Sequence, residues 1–204
     1  RPYDYFMAMF PVGQLVRMVR LTSAKLLKRG MQPTTAGEVL TFFGVIILGT
    51  RYKLGARADL WVTKPRSKYL LAPAFDERIA LPRRRFDALW SCVTFSAQSD
   101  DGDATENGRS ELIDDFVAAI NAHRAARVVP SEVTCVDESI SKWYGQGGHW
   151  IEKGLPMYIA IDRKPEHGCE VQNAACARGG IMLNLKVVTS AQHKLEADSA
   201  GGTG

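Results

Sequence analysis

The stretch Val-Thr-Cys-Val-Asp at residues 133–137 decides the fold class, because the hydrophobic pattern of the chain changes there from a helical period to short apolar runs. Residues 157–161 and 181–188 form two further runs of this kind, and Gly and Pro residues separate the runs. Short runs rich in β-branched residues between such breakers are typical of strands. We therefore predict that the last third of the chain contributes strands to one sheet.

Upstream of this point the pattern is helical. Residues 14–29 place apolar side chains at helical spacing, and Gly30 follows where a helix end favours a left-handed residue. Thr35 and Glu38 have the Thr-x-x-Glu spacing of a capping box, in which hydroxyl and carboxylate satisfy the free amides of a helix start. The apolar run at residues 39–49 then predicts a buried helix.

Two more helices are predicted before the first strand. Pro82 occupies the first helical position of one of them, where a preset φ and a missing N–H are tolerated. The other begins at Glu111. One apolar stripe of the earlier helix is formed by Phe86, Leu89, Trp90 and Val93, and one side of the later helix by Leu112, Phe116, Ile120 and His123.

The order of these elements predicts an α+β chain in two parts. Residues 1–127 form an N-terminal helical domain, and residues 128–204 form a strand-rich part. Residues 99–109 are rich in Asp, Gly, Asn and Thr, with little that is apolar. This composition predicts a flexible acidic loop that serves as a linker and not as a site.

Charge divides the chain unevenly, although its net value is only +4. Residues 1–90 hold 16 Lys and Arg against 6 Asp and Glu, whereas residues 91–204 hold 10 against 16. A polyanion would bind to the basic half. A solvated positive surface without a ligand is the alternative.

The remaining composition bounds the class of protein. The four cysteines form no Cys-x-x-Cys pair and lie in or beside apolar runs, which favours a reducing, intracellular compartment. The apolar run at residues 39–48 is about half of the roughly 20 residues that a bilayer requires, so we expect no membrane span. Because the chain starts at Arg1 and residues 199–204 suit neither helix nor strand, we expect a fragment of a longer protein.

Two consecutive segments carry a resemblance to a known family. They are residues 136–145 (Val-Asp-Glu-Ser-Ile-Ser-Lys-Trp-Tyr-Gly) and residues 154–165 (Gly-Leu-Pro-Met-Tyr-Ile-Ala-Ile-Asp-Arg-Lys-Pro). Together they resemble the opening of the catalytic core of piggyBac-like transposases. In that family an Asp-Glu pair closes the first strand, and an Arg-Lys-Pro element leads into the second and third strands.

Two upstream segments support the same resemblance. Residues 40–49 with Trp61 are similar to the family's apolar helix and the tryptophan that follows it, and residues 83–86 with Phe95 resemble its Arg-Phe helix. All of these segments occur in the family's order. An unrelated α+β domain would need each match to be accidental, which makes that alternative the weakest.

The resemblance implies a fold and an activity. The fold is a helical domain for dimerisation and DNA binding, followed by the first strands of an incomplete RNase H-like core. The activity is cut-and-paste transposition in the nucleus, in which three aspartates hold two divalent metals, usually Mg²⁺. The implied partners are double-stranded DNA at the transposon ends and a second copy of the chain in a homodimer.

Asp137 corresponds to the first of the three aspartates. Carboxylates suit this role because Mg²⁺ prefers hard oxygen ligands, and we expect Asp137 at the end of a central strand. The second and third aspartates of the family lie on later strands, and Asp162 and Asp198 are poor substitutes for them. We therefore expect no strand transfer from these residues alone. The alternative is a transposon-derived module that binds DNA or protein without cutting.

Six cations are candidates for phosphate contacts. Arg83, Arg84 and Arg85 lie at a predicted helix start, where they spread over its exposed arc. Lys142, Arg163 and Lys164 surround Asp137 in sequence. Ordinary surface cations are the alternative in both cases.

Other chemistry near Asp137 is interpreted as structural. Glu138 follows Asp137 on the strand and so points to the opposite face, away from any shared metal. Trp143 and Tyr144 suit packing on the sheet edge better than stacking on a base. A zinc site is not predicted, because the spacing matches no usual pattern and we expect separate turns for His149, His167 and Cys169.

Overall fold

The computed structural model describes residues 1–52, 57–64, 73–95, 111–142, 158–160 and 167–188. Six α-helices, one short 3₁₀ helix and four strands are found in these ranges. The helices are α1 Pro2–Met9, α2 Val12–Lys28, α3 Ala36–Gly49, the 3₁₀ helix Arg57–Trp61, α4 Phe75–Arg78, α5 Arg83–Cys92 and α6 Glu111–Ala125. The strands are β1 Thr134–Lys142, β2 Tyr158–Ala160, β3 His167–Cys176 and β4 Met182–Val187. The predicted α+β class is confirmed.

The chain forms two compact units. The helical unit comprises residues 12–95, and the sheet unit comprises residues 1–11 together with 96–204. This division differs from the predicted boundary between residues 127 and 128, because α6 packs on β4 and α1 packs on α6. The predicted acidic loop at residues 99–109 lies outside the described residues.

The end of α2 forms as the sequence predicts. Gly30 adopts a left-handed φ of 69°. Its N–H donates to the Leu27 carbonyl at 2.9 Å, and the Met31 N–H donates to the Leu26 carbonyl at 3.0 Å. This pair of bonds is the Schellman motif, which satisfies carbonyls that the helix leaves without partners. A side chain at Gly30 would therefore strain the chain reversal between α2 and α3.

The start of α3 confirms half of the predicted capping box. Thr35 Oγ1 accepts the Glu38 backbone N–H at 3.2 Å. The Glu38 carboxylate does not complete the reciprocal bond, because it binds Thr34 Oγ1 at 2.6 Å and the Arg85 guanidinium. The residue that sequence spacing assigned to a local cap thus connects α3 to α5.

The helix α5 begins one residue later than predicted. Pro82 is its N-cap, with extended backbone at φ −59° and ψ 148°, and Arg83 is the first helical residue. The 3₁₀ helix and α4 were not predicted, because each is too short to show a hydrophobic period. Both contribute to the core nevertheless, through Trp61 and Phe75.

An aromatic cluster forms the core of the helical unit. The Phe86 ring lies 4.9 Å from Phe42 and 5.0 Å from Trp61, and Trp61 lies 6.1 Å edge-on from Phe75. Phe42, Phe75 and Phe86 are each at most 2% exposed. The buried Trp61 Nε1–H donates to the Leu81 carbonyl at 3.1 Å, so its polar edge is satisfied.

The sheet unit is built around β3, which the sequence did not reveal as a strand. β1 pairs with β3 antiparallel from Thr134 opposite Cys176 to Lys142 opposite Gly168. Because β1 occupies one edge of β3 along its length, β2 and β4 share the other edge, both antiparallel. The other three strands confirm the predicted runs, although β1 extends five residues beyond Asp137.

A side chain from α6 covers part of the outer edge of β4. Asn121 Nδ2 donates to the Leu185 carbonyl at 2.7 Å, and Asn121 Oδ1 accepts the Leu185 N–H at 3.0 Å. The amide therefore binds both backbone groups of one residue, as a neighbouring strand would. Leu185 lies opposite Asn173 of β3. Its backbone N–H and C=O bond to Asn121 and therefore point away from β3.

Candidate nucleic-acid interface and the position of Asp137

Asp137 is the fourth residue of the nine-residue strand β1 and is exposed. This corrects the expected position at the end of a central strand: β1 continues to Lys142, and the central strand of the described sheet is β3. Asp137 lies opposite Asn173, and its Oδ1 accepts the Glu138 backbone N–H at 2.8 Å. The carboxylate is therefore presented at the sheet surface.

Two neighbours of Asp137 on this face, Ser139 and Asn173, are polar and neutral. Ser139 follows it two residues along β1, and Asn173 Nδ2 donates to Ser139 Oγ at 2.9 Å. The same amide donates to the Val171 carbonyl at 3.2 Å. Glu138 lies opposite Gln172 on the other face, as strand alternation predicts.

The surroundings of Asp137 meet the requirements of Mg²⁺ only in part. An exposed carboxylate is a suitable oxygen ligand for this ion. Within the described ranges, however, no group of three or more His, Cys, Asp or Glu side chains is arranged to hold a metal. Asp137 thus supplies one ligand of the right chemistry, and the described residues do not form the rest of a magnesium site.

The predicted phosphate contacts near Asp137 are only partly described. Lys142 is the last residue of β1, and its Cα lies opposite that of Gly168. Arg163 and Lys164 lie outside the described residues, as do Asp162, Asp198, Trp143 and Tyr144. The phosphate contacts predicted for Arg163 and Lys164 stay predictions.

Arg83 and Arg84 lie in the first turn of α5 and are exposed. Arg83 Nε is 3.5 Å from Asp87 Oδ2, a pair whose side chains are 57% and 41% exposed. An ion pair this open to water contributes little to stability, and a phosphate can compete with it. Both guanidinium groups are therefore placed where a polyanion can reach them.

Arg85 is bound within the helical unit. Its Nε and Nη2 contact the two Glu38 carboxylate oxygens at 2.6 and 2.7 Å, and its Nη1 and Nη2 donate to the Gln32 and Pro33 carbonyls at 2.8 Å. The bond from Arg85 lowers the pKa of Glu38, and the same bond raises the pKa of Arg85. Because Nε, Nη1 and Nη2 of Arg85 already donate within the helical unit, a phosphate could bind this guanidinium only by displacing those bonds.

Arg57 of the 3₁₀ helix is a further exposed cation beside α5, and the sequence analysis did not identify it as a candidate. The Arg57 guanidinium lies 4.3 Å from the Trp90 ring centroid and 3.4 Å from Asp87 Oδ1. Trp90 was predicted as a member of the apolar stripe of α5, and it is 47% exposed. No spacing rule links residues 33 positions apart, so only the packing of the 3₁₀ helix on α5 reveals this pair.

The positions of the histidine and cysteine residues differ in part from the prediction. His167 and Cys169 lie on β3, two residues apart, and not in separate turns as expected. Cys92 and Cys176 are buried, as predicted for small apolar side chains, whereas Cys135 is exposed. Cys176 Sγ donates to Ser131 Oγ at 3.2 Å and accepts the Ser131 backbone N–H at 3.4 Å. Hydrogen bonds with Ser131, and with the Gly179 and Arg178 backbone, lower the pKa of this thiol to about 7.

Comparisons with known proteins agree with this architecture. A family model described as Transposase IS4 matches residues 1–203. A solved structure, the cryo-EM piggyBac transposase synaptic complex with hairpin DNA, matches with a TM-score of 0.74 and 17% identity. The match covers 100% of this chain and 44% of that chain, so this chain spans less than half of that protein's length. No curated protein matches.

Along the described ranges, no helix has both the length and the apolar character needed to cross a membrane.

The sequence and the fold lead to the same family. An identity of 17% shows the fold alone, whereas the family model spans nearly all of the chain. The resemblance predicted from the sequence is confirmed. The chain belongs to the transposase IS4 family, and its fold is that of a portion of a piggyBac transposase.

Proposed function

We propose that this chain is a transposase-derived domain that binds double-stranded DNA through its helical unit. The observation that carries the proposal is the division of charge between the two units. Residues 12–95 hold 15 Lys and Arg against 5 Asp and Glu, whereas the sheet unit holds 11 against 17. The basic unit is the part of the chain to which a polyanion is drawn.

Arg83 and Arg84 are the proposed phosphate contacts within this unit. They are exposed and begin a helix, so the positive end of the α5 dipole adds to their charge. The solved relative is a complex with hairpin DNA, which supports DNA as the class of partner. We extend this partner to the present chain on the basis of its own charge and exposure.

The salt dependence of duplex binding tests the proposal. Replacing both Arg83 and Arg84 by Ala should weaken binding and lower the magnitude of the log Kd against log[salt] slope by about two, at about 0.9 per phosphate contact. The matched control replaces Lys25 and Lys28 of α2 by Ala, removing the same charge elsewhere on the unit. The slope of the control should stay within about 0.5 of the starting protein. Equal losses in both variants would show that binding depends on overall charge and not on α5.

Catalysis forms a separate part of the proposal. We propose that Asp137 is one carboxylate ligand of a divalent-metal site whose remaining ligands are not among the residues that the structure describes. Two metal ions need several carboxylates in a fixed geometry. Residues 1–204 alone should therefore show no Mg²⁺-dependent nicking of a transposon-end duplex. Nicking by the purified chain that is lost in Asp137→Ala would overturn this expectation.

The alternative function is a module that binds DNA or protein without cutting. Two neighbours of Asp137 favour this alternative. Ser139 and Asn173 are polar but uncharged, so neither adds a second negative charge beside the Asp137 carboxylate to bind a metal ion. We also propose nuclear localisation and a homodimer, both from the family resemblance. Imaging of the tagged chain in cells and sedimentation of the purified chain test these two proposals.

A further inference from the structure

We propose that Arg57 and Trp90 form a binding site for an unpaired nucleobase on the surface of α5. This inference rests on the proposed function, because it assigns a finer role to the same basic unit. It begins from one exposed stripe of the helix, formed by Arg83, Asp87 and Trp90. These residues are four and then three positions apart, so they lie on one face.

Two cations beside this stripe share one carboxylate. Asp87 Oδ2 lies 3.5 Å from Arg83 Nε, and Asp87 Oδ1 lies 3.4 Å from Arg57 Nη2. One carboxylate thus lies beside two guanidinium groups. Arg57, Arg83 and Asp87 together carry a net charge of +1, and each of their side chains is at least 41% exposed.

Trp90 supplies the aromatic part of the site. Its ring lies 5.9 Å from Phe86 and 6.1 Å from Phe42, so the core fixes its position, yet 47% of the residue is exposed. The Arg57 guanidinium lies 4.3 Å from the ring centroid. A tryptophan with an adjacent guanidinium suits a nucleobase, because every base has a π-face that stacks on such groups.

The spacing along α5 suits a continuous strand of nucleic acid. Trp90 and Arg83 are separated by seven residues, or about 10 Å at 1.5 Å per residue. This is about three nucleotides at the roughly 3.4 Å rise of a strand. A strand whose base stacks at Trp90 can therefore place a nearby phosphate at Arg83. A fully paired duplex cannot use the ring in this way, because its bases are stacked on each other.

The test compares a blunt duplex with the same duplex carrying an unpaired single-stranded overhang. Trp90→Ala should weaken binding of the overhang probe about tenfold, since stacking contributes about 1–3 kcal/mol per base. Its affinity for the blunt duplex should change less than about twofold. Trp90→Phe keeps an aromatic face and should recover most of the overhang affinity. Circular dichroism of the Trp90→Ala and Trp90→Phe variants shows whether each retains the fold.

Arg57 provides an independent arm of the experiment. Arg57→Lys keeps the charge but loses the planar group, so overhang binding should weaken while the salt slope stays unchanged. Lys28→Ala is the control on α2 and should affect both probes equally. Equal losses on both probes in Trp90→Ala would overturn the nucleobase site. If the unmodified chain binds neither probe, the proposed DNA-binding function fails instead.

Discussion

Phe86→Ala should lower the free energy of unfolding of the helical unit by about 3–5 kcal/mol, the largest effect that we expect from one substitution. The Phe86 side chain is 1% exposed and packs against Phe42, Trp61 and Trp90 at ring distances of 4.9 to 5.9 Å. Removing the ring leaves a cavity that these large, mutually packed neighbours cannot fill by small movements.

Urea unfolding followed by circular dichroism measures this loss. Phe86→Leu is the matched variant, because it keeps most of the apolar volume and should cost about 1–1.5 kcal/mol. A domain is stable by only about 5–15 kcal/mol, so Phe86→Ala removes a large share of that stability. A loss below about 1 kcal/mol would mean that the aromatic cluster is not the core of this unit.

Arg85→Ala should destabilise the helical unit by about 2–3 kcal/mol, because charge-assisted hydrogen bonds are lost and the Glu38 carboxylate keeps only Thr34. The two side chains are 21% and 24% exposed, so water replaces part of the lost interaction. This partial exposure keeps our expectation below the range for fully buried ion pairs. Arg84→Ala, one residue earlier and exposed, is the control and should change stability by less than about 0.5 kcal/mol.

The same bond predicts a dependence on pH. Arg85 lowers the pKa of Glu38 in the folded state from its ordinary value of 4.5. The stabilisation is therefore present above that ordinary value and is lost as the pH falls through the lowered folded-state value. Glu38→Gln should lose this component of the acid dependence. Urea unfolding at a series of acid pH values measures this. If the free energy of unfolding fell with pH by the same amount in Glu38→Gln and in the starting protein, the assignment would be contradicted.

The sequence predicts those elements whose cause is local. Gly30 and Thr35 mark helix ends through bonds made within a few residues, and both act as predicted. β3 escaped prediction because apolar and polar residues alternate only over Cys-Glu-Val-Gln at residues 169–172, which is too short to stand out. It is a strand because β1, β2 and β4 pair with its backbone on both edges. Such pairing depends on partners that are distant in sequence.

The candidate interface shows the same limit. The exposed arginines of α5 were identified from their position at a helix start, but the sequence could not separate Arg85 from its neighbours. Its partners Glu38 and Gln32 lie 47 and 53 positions away. Spacing placed Trp90 in the apolar stripe of α5 with Phe86 and Leu89, but helical periodicity assigns a face and does not show how far the neighbouring elements cover it.

Asn121 closes part of one edge of the sheet. Its amide occupies both backbone groups of Leu185 on the outer edge of β4, so another strand could pair there only after α6 had released them. The side chain from α6 therefore protects this stretch of β4 against edge-to-edge pairing with a second chain, which is the hazard that an open strand edge carries.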